Sequence, residues 1–217
     1  MPEWLAVASI RAHQHRNTVP MASRIIVVRH GNTFDKGDVV TRVGGRTDLP
    51  LSVSGRVQAE ALARHFATTA FATARSGPLK RTRETAAAIL AAHANPPELT
   101  TDLFLREIDY GPDENRPEEE VIARIGKAAL DAWERDFIPP PGWRVDPAAL
   151  VGNWQETFHE LRDQPGDHLI VTSNGIARFA LTAAEATGHD GKLATGAWGV
   201  IALEGQAVRI ESWNLRP

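Results

Sequence analysis

The sequence contains no cysteine among its 217 residues. Disulfides, thiolate metal sites and a cysteine nucleophile are therefore excluded. A chain of this length buries roughly 70% of the surface that it exposes when unfolded, so a hydrophobic core can stabilise it without cross-links. The lack of cysteine also fits a reducing compartment, and we expect a cytoplasmic protein.

The sequence also lacks long apolar runs and a strong excess of charge. No stretch approaches the ~20 apolar residues that a membrane-spanning helix requires. The formal net charge is -3, so the chain has no global positive field for nucleic acid or anionic lipid. We therefore expect neither nucleic acid nor a membrane as a partner. An anionic substrate would need a local cluster of arginines.

The first twenty residues differ in pattern from the rest of the chain. Positive charge follows their short apolar run, whereas a secretory signal places positive charge before it. We expect residues 1–22 to be a disordered tail and residues 23–217 to form one folded domain. Met21, the only methionine besides Met1, is a candidate translation start.

Strand and helix patterns alternate along the remaining chain. Apolar and β-branched runs predict strands at 25–28, 71–75, 98–105 and 168–172, and a closing hairpin of strands at 198–203 and 207–213. Helical spacing predicts one helix opened by residues 51–55 and continuing to 66, and others at 79–92, 118–137, 147–162 and 176 to about 186. This alternation is typical of an α/β fold with a mostly parallel sheet covered on both faces. The segment of about 111–165 shows no clear strand and is interpreted as a helical insertion that caps one end of the sheet.

Ligands of open α/β sheets bind beyond the carboxyl ends of the strands. The loop after the first strand, residues 29–33, reads RHGNT. The His30 imidazole can attack phosphorus if one ring nitrogen is neutral and the other donates a hydrogen bond to a carbonyl. Arg29 can grip phosphate oxygens with its planar guanidinium. Taken alone, a histidine at a strand end is more often a structural or surface residue than a nucleophile.

Two further strand-end loops contain suitable chemistry. Residues 76–85 lead into a predicted helix, whose N-terminus favours an anion, and Arg81 in its first turn opposes the helix dipole unless an anion is bound. Residues 106–111 place carboxyl groups after the third strand. A carboxyl group there can act as a general acid if burial or neighbouring charge raises its pKa.

Taken together and in this order, these segments resemble the histidine phosphatase superfamily, the phosphoglycerate mutase-like proteins. The resemblance extends from about Arg24 to the end of the chain. The segments that support it are 29–33 (RHGNT), 48–52 (DLPLS), Gly55, 58–59 (QA), Ser76, 79–82 (LKRT), 84–85 (ET), 105–107 (LRE) and 110–111 (YG).

The resemblance implies a three-layer α/β/α sandwich whose helical insertion caps the active-site end. It also implies a phosphohistidine intermediate on His30, with Arg29 and Arg81 holding the phosphoryl group and Glu107 protonating the leaving oxygen before activating water. No metal or other cofactor is required in such a mechanism. The loop after the nucleophile, where the family contacts its substrate, contains Asn32, Arg42 and Arg46.

The sequence departs from the family pattern after the fourth strand. The family places a second histidine there, in a His-Gly pair, and this chain has Ser173 and Asn174 in register. Both can still donate hydrogen bonds to a phosphate, although neutral donors are weaker than charged ones. We expect no substitute from His168, which lies at the other end of the strand, nor from His159 or His189.

The sequence therefore predicts a metal-independent phosphomonoester hydrolase that acts on a small phosphorylated metabolite. Ser173 leaves three consequences open: lower activity, an altered substrate, or loss of catalysis with retained binding of phosphorylated ligands. Two alternatives remain: a phosphomutase, for which the segment at 111–165 is long enough to form a lid, and a catalytically impaired phospholigand-binding or regulatory protein, which Ser173 suggests. Both a monomer and a homodimer are possible, because the C-terminal hairpin could supply a free sheet edge.

Overall fold

A computed structural model describes residues 22–188 and 190–217. The expected tail at residues 1–22 lies outside the described residues except for Ala22, and Met21 and His189 also lie outside them. No helix in the described part of the chain is long and apolar enough to cross a membrane.

Within this part of the chain, six strands form one sheet in the order β3-β2-β4-β1-β5-β6. The strands are β1 Ser23–Arg29, β2 Phe71–Ser76, β3 Leu99–Thr101, β4 Gly166–Thr172, β5 Trp198–Glu204 and β6 Ala207–Leu215. The first four are parallel, while β5 is antiparallel to β1 and to β6. The mostly parallel sheet and the closing hairpin are therefore confirmed.

Six α-helices accompany the sheet in the described residues. They are α1 Val53–Phe66, α2 Lys80–Leu90, α3 Glu118–Ile125, α4 Lys127–Asp136, α5 Pro147–Arg162 and α6 Asn174–Ala183. Side-chain caps begin two of them. The Ser52 hydroxyl accepts the Gly55 N–H at the start of α1, and Asp146 accepts the Ala149 N–H at the start of α5.

Helices cover both faces of the sheet and form two cores. Ile26 and Val28 of β1 pack with residues of α1 and α2, whereas Ile25 and Val27 pack with residues of α4, α5 and α6. Successive side chains of a strand point to opposite faces, so an uninterrupted apolar run serves both cores. The three-layer α/β/α architecture expected from the sequence is confirmed.

Two predicted elements end earlier than their patterns suggest. The predicted strand at 98–105 stops at Thr101 because the Asp102 carboxylate accepts the Phe104 N–H and turns the chain into a short 3-10 helix. The predicted helix at 118–137 is divided at Gly126, whose φ of 80° lies in the left-handed region that glycine adopts readily. In both segments the apolar pattern of the sequence continues across the break, so the pattern did not predict it.

The two parts of the segment at 111–165 lie at different places in the fold. Helix α4 contributes Trp133 and Glu134 to the wall of a cavity at the carboxyl end of β1, as a cap would. Helix α5 instead packs beside α6 on one face of the sheet, where Phe158 and Leu161 join the core of Ile25. The cap thus consists of the part that precedes α5.

Candidate active site

A cavity of about 380 Å³ opens at the carboxyl ends of the parallel strands. Residues that follow four different strands line it, because β1, β2 and β4 all end at the same edge of the sheet. Four of its wall residues are arginines. The residues that matter for chemistry are Arg29, His30, Arg42, Arg81, Glu107 and Arg178.

His30 lies directly after β1 and is 6% exposed. Its main-chain N–H donates to the Thr172 carbonyl of the neighbouring strand, which fixes the backbone. The ring atom Nδ1 lies 2.7 Å from the Gly31 carbonyl oxygen. Because a carbonyl only accepts, Nδ1 holds the proton and Nε2 keeps its lone pair. Nε2 faces the Nε–H of Arg81 at 3.2 Å.

The surroundings of His30 keep its ring neutral. Burial lowers the pKa of His30 well below its ordinary value, and the positive charges of Arg81 and Arg29 lower it further. A neutral imidazole whose Nε2 has no proton is the form that can attack phosphorus, once the Arg81 Nε–H turns from Nε2 to a phosphate oxygen.

Two guanidinium groups flank the imidazole. Arg81 is fully buried, and it donates to the main-chain carbonyls of Thr47 at 2.7 Å and Gly44 at 3.1 Å. Arg29 donates to the Leu193 carbonyl at 2.8 Å, and its Nε–H is buried without an acceptor among the described residues. Carbonyls position both groups without neutralising them, so their positive charge remains available to an anion.

Glu107 provides the carboxyl group of the site and is 8% exposed. Its two oxygens accept the main-chain N–H groups of Ile108 at 2.9 Å and Gly175 at 3.3 Å. Burial raises the pKa of Glu107, although those N–H groups, Arg81 and Arg29 act in the opposite direction. A carboxyl group with a raised pKa can give up a proton and later take one back.

Gly175 makes room for this carboxyl group. A Cβ atom added at position 175 would overlap the Oε1 atom of Glu107, closer than a side-chain carbon can approach. The first turn of α6 therefore reaches Glu107 with its backbone only because residue 175 has no side chain.

Three further predicted residues lie on the cavity wall, namely Asn32, Arg42 and Asn174. The Asn32 side chain donates to the Ser54 hydroxyl at 3.1 Å, and the Asn174 oxygen accepts the Leu193 N–H at 2.7 Å. These bonds fix the orientation of both amides at the edge of the cavity.

Arg46 and Ser173 are not among the residues that line the cavity. Arg46 is exposed and pairs with Asp109 at 2.9 Å, because that carboxylate lies beside it on the surface. Ser173 is fully buried at the start of α6, and its hydroxyl has no partner among the described residues. Both side chains therefore lie outside the cavity wall, and their assignment to phosphate binding stays a prediction.

The structure agrees that two other histidines are remote from His30. His168 is buried at the amino-terminal half of β4, where its ring nitrogens bond to Thr73 and to the Gln164 carbonyl. His159 is exposed on α5. Neither lines the cavity that contains His30.

The sequence interpretation missed Arg178 and Glu134 on the cavity wall. A signal for Arg178 was present, since it lies four residues after Asn174 on a helix that starts at the site, and such residues share a helix face. No comparable spacing pointed to Glu134, which reaches the site from α4.

Comparison with known proteins agrees with this geometry. Residues 25–216 match the histidine phosphatase superfamily, branch 1. The 2,3-bisphosphoglycerate-dependent phosphoglycerate mutase 2 of Gloeobacter violaceus is 31% identical over 158 residues, which are 70% of each chain. The fructose-2,6-bisphosphatase TIGAR B of Danio rerio is 33% identical over 120 residues, 54% of this chain and 46% of that protein.

Solved structures share the fold at lower identity. A mycobacterial glucosyl-3-phosphoglycerate phosphatase aligns with a TM-score of 0.73 at 21% identity, covering 89% of this chain and 99% of that one. YhfR of Bacillus stearothermophilus aligns with a TM-score of 0.72 at 23% identity, covering 88% and 96%. With a family match over nearly all described residues and this architecture, the chain belongs to the histidine phosphatase superfamily.

Proposed function

We propose that the protein is a metal-independent phosphomonoester hydrolase that forms a phosphohistidine on His30. The observation that supports this most strongly is the hydrogen bonding of the His30 ring. Nδ1 carries the proton and donates to the Gly31 carbonyl, so the unprotonated Nε2 faces Arg81. A nucleophile in this state, beside two guanidiniums and one buried carboxyl group, is suited to phosphoryl transfer.

In the first step, Arg29 and Arg81 bind the phosphoryl oxygens and stabilise the charge that develops on them. The Nε2 lone pair of His30 attacks phosphorus, and the bond from phosphorus to the ester oxygen breaks. Glu107 gives its proton to that oxygen, so the alcohol leaves neutral. The raised pKa of Glu107 favours the protonated starting form.

In the second step, the Glu107 carboxylate accepts a proton from water as the water oxygen attacks phosphorus. The P–N bond breaks and returns its electron pair to Nε2, so His30 regains its neutral form. Inorganic phosphate leaves, and Glu107 is again protonated. The same carboxyl group thus serves as acid and then as base.

The positive end of the α6 dipole offsets part of the charge of the imidazole that Ser173 replaces, although the Gly175 N–H itself donates to Glu107. Helix N-termini carry partial positive charge and free N–H groups that favour anions. Asn174 and Gly175 of this first turn line the cavity. Together with Asn32 and Arg42, Asn174 is assigned to substrate binding, whereas the positions of Arg46 and Ser173 give no support for such a role.

The reaction class of the relatives supports a small phosphorylated metabolite as substrate. One relative is named as a phosphoglycerate mutase and another as a fructose bisphosphatase, and a structural neighbour is named as a sugar-phosphoglycerate phosphatase. A cavity of about 380 Å³ is of the size that binds small molecules.

Ser173 is the observation that favours the non-catalytic alternative, whereas the phosphomutase alternative draws on the length of the segment at 111–165. A phosphomutase would return the phosphoryl group to a second metabolite, and a phospholigand-binding or regulatory protein would bind without turnover. Both would use the same arginine-lined cavity.

Phosphate release from a panel of phosphomonoesters tests the proposal, measured with the full chain in the presence and absence of EDTA. We expect release that EDTA does not lower, because the arginines supply the positive charge. His30→Ala should lower the rate by about 10³-fold or more. The matched control His159→Ala, at an exposed helix position, should retain the wild-type rate.

The alternatives give different results in the same experiment. Transfer of label to an added metabolite in preference to water would indicate a mutase. Saturable binding of phosphate esters without any release would indicate a regulatory protein. Release that is unaffected by His30→Ala would overturn the proposed mechanism.

The proposal also includes a cytoplasmic location, a partner set limited to small metabolites, and no nucleic acid or membrane partner. Cell fractionation tests the location. Light scattering after size-exclusion chromatography decides between a monomer and a homodimer.

A further inference from the structure

The guanidinium of Arg81 is held by two carbonyls of one short loop, residues 44–47. One terminal N–H group donates to the Thr47 carbonyl at 2.7 Å, and the other donates to the Gly44 carbonyl at 3.1 Å. The Nε–H remains for the reacting centre and lies 3.2 Å from Nε2 of His30. Because the donors of a guanidinium have fixed directions, the two carbonyls decide where the Nε–H points. The loop 44–47 therefore sets the orientation of a phosphate-binding arginine.

Glu114 ties this loop to the segment that follows Glu107. Its Oε1 atom accepts the main-chain N–H of Arg46 and the hydroxyl of Thr47, both at 2.8 Å. Its Oε2 atom accepts the main-chain N–H of Tyr110 at 3.1 Å. An ionised carboxylate accepts at both oxygens and donates from neither, so it suits three converging donors. One side chain thus joins the loop that holds the arginine to the chain beside the general acid.

The loop also lies in close contact with that segment. The Gly45 N–H donates to the Ile108 carbonyl at 2.7 Å. A Cβ atom added at Gly44 would overlap the Ile108 carbonyl and Oε2 of Glu114, and one added at Gly45 would overlap the Glu107 carbonyl. Only residues without a side chain approach so closely. The loop and the backbone of the acid therefore form one packed unit.

The side chain of Arg46 provides a second and weaker tether for the loop. It pairs with Asp109 at 2.9 Å and is 55% exposed. Ion pairs between exposed groups contribute little. Glu114 is only partly exposed, and hydrogen bonds to a charged group contribute more than bonds between neutral groups. Glu114 is therefore the stronger of the two tethers.

The charge of Glu114 also acts on Arg81. Burial lowers the pKa of Arg81, and the carboxylates of Glu107, Asp48 and Glu114 act in the opposite direction. The carboxylate of Glu114 thus favours the charged form of the arginine whose orientation it helps to fix.

We propose that Glu114 is a positioning residue for phosphoryl transfer: it fixes the loop 44–47, and the carbonyls of that loop direct Arg81 at the phosphoryl group. Glu114 is not among the residues that line the cavity, so it acts through Arg81 and not on the substrate. The inference rests on the proposed function and adds a residue to its machinery.

Glu114→Gln tests this role with little change in size. An amide has one accepting oxygen and one donating NH₂ group, so at least one main-chain N–H loses its acceptor. We expect kcat/KM for p-nitrophenyl phosphate to fall by about 10- to 100-fold, because a misdirected Arg81 stabilises the transition state less. Inhibition by orthovanadate should weaken by a similar factor, because vanadate can adopt the five-coordinate geometry of the transition state.

The inhibition constant of vanadate separates positioning from stability. A smaller folded fraction, measured by circular dichroism, would lower kcat and leave KM and that constant unchanged. The matched control is Glu119→Gln at an exposed position of α3, which should retain wild-type values.

A double-mutant cycle with Arg81→Lys shows whether Glu114 acts through Arg81. Lysine keeps the positive charge but lacks the planar fork that the two carbonyls hold. In that background Glu114→Gln should lower kcat/KM by less than about 3-fold, because the interaction is already lost. The cycle uses the vanadate constant where Arg81→Lys has no measurable turnover. An equal loss in both backgrounds would overturn the inference.

Wild-type kinetics and wild-type vanadate inhibition in Glu114→Gln would also overturn it, while leaving the phosphatase proposal intact. If that variant does not fold, Thr47→Val replaces it, because valine removes one donor to the carboxylate and keeps the main-chain carbonyl that holds Arg81. Vanadate inhibition should then weaken by about 3- to 10-fold, and no change would contradict the inference.

If the wild-type protein hydrolyses no phosphomonoester, the phosphatase proposal fails. Calorimetric binding of orthovanadate then tests the positioning role by itself. We expect an affinity about 10-fold lower in Glu114→Gln than in the wild type, and equal affinities would overturn the inference.

Discussion

At the scale of single residues, burial in one site shifts the pKa values of two catalytic groups in opposite directions. Burial lowers the pKa of His30 and raises that of Glu107, because it disfavours the charged form of each. Both shifts therefore favour the neutral forms, a base without a proton and an acid with one.

The pH dependence of kcat/KM follows from these directions. Activity needs neutral His30, whose pKa lies below the ordinary value of about 6.5, so the acid limb should lie below that pH. Activity also needs protonated Glu107, whose pKa lies above the ordinary value of about 4.3, so the alkaline limb should lie above that pH. The profile is measured with correction for titration of the substrate phosphate.

The variant Glu107→Gln serves as the control, since it should remove the alkaline limb and keep the acid limb. An acid limb above pH ~6.5 in the wild type would contradict the assigned role of His30.

At the scale of elements, the turn from β4 into α6 organises the site. Its backbone supplies the Gly175 N–H to Glu107, and its side chains place Asn174 and Arg178 on the cavity wall. The carboxyl ends of the parallel strands are ordinary places for ligands. In this chain the turn contributes the Gly175 N–H and the Arg178 side chain to the site.

Gly175→Ala tests the role of this turn. The new Cβ atom would overlap Oε1 of Glu107, so we expect the carboxyl group to be displaced and kcat to fall by about 10²- to 10⁴-fold. Circular dichroism should show that α6 persists, because alanine favours helix.

The matched control is Gly152→Ala on α5, where nothing lies within 4 Å of the added Cβ atom. It should leave kcat unchanged and raise the free energy of unfolding by about 1 kcal/mol. Wild-type kcat in Gly175→Ala would show that the turn does not position Glu107.

At the scale of the whole molecule, the sheet brings together residues that are distant in sequence. His30, Arg81 and Glu107 follow three different strands and meet because parallel strands end at one edge. The sequence was sufficient to predict this convergence, since each residue lies shortly after a predicted strand. The uninterrupted run in β1 likewise predicted a strand buried on both faces.

Other features of the site depend on contacts between distant segments, and the spacing of residues in the sequence does not predict these. The surface pairing of Arg46 with Asp109 joins residues far apart in sequence, and nothing in either segment indicates it. The burial of Ser173 away from the cavity wall depends on how β4 leads into α6. Glu134 reaches the cavity because Gly126 divides a helix whose periodicity is unbroken in sequence.

Trapping the phosphoenzyme tests the central claim, nucleophilic catalysis by His30, most directly. With p-nitrophenyl phosphate, the leaving group needs no proton from Glu107, so Glu107→Gln should form the phosphoenzyme and then hydrolyse it slowly. Rapid quenching should show a burst of one equivalent of p-nitrophenolate. Mass spectrometry should place an acid-labile, alkali-stable phosphoryl group on His30. Absence of the burst, or a phosphoryl group on another residue that persists in His30→Ala, would contradict the account.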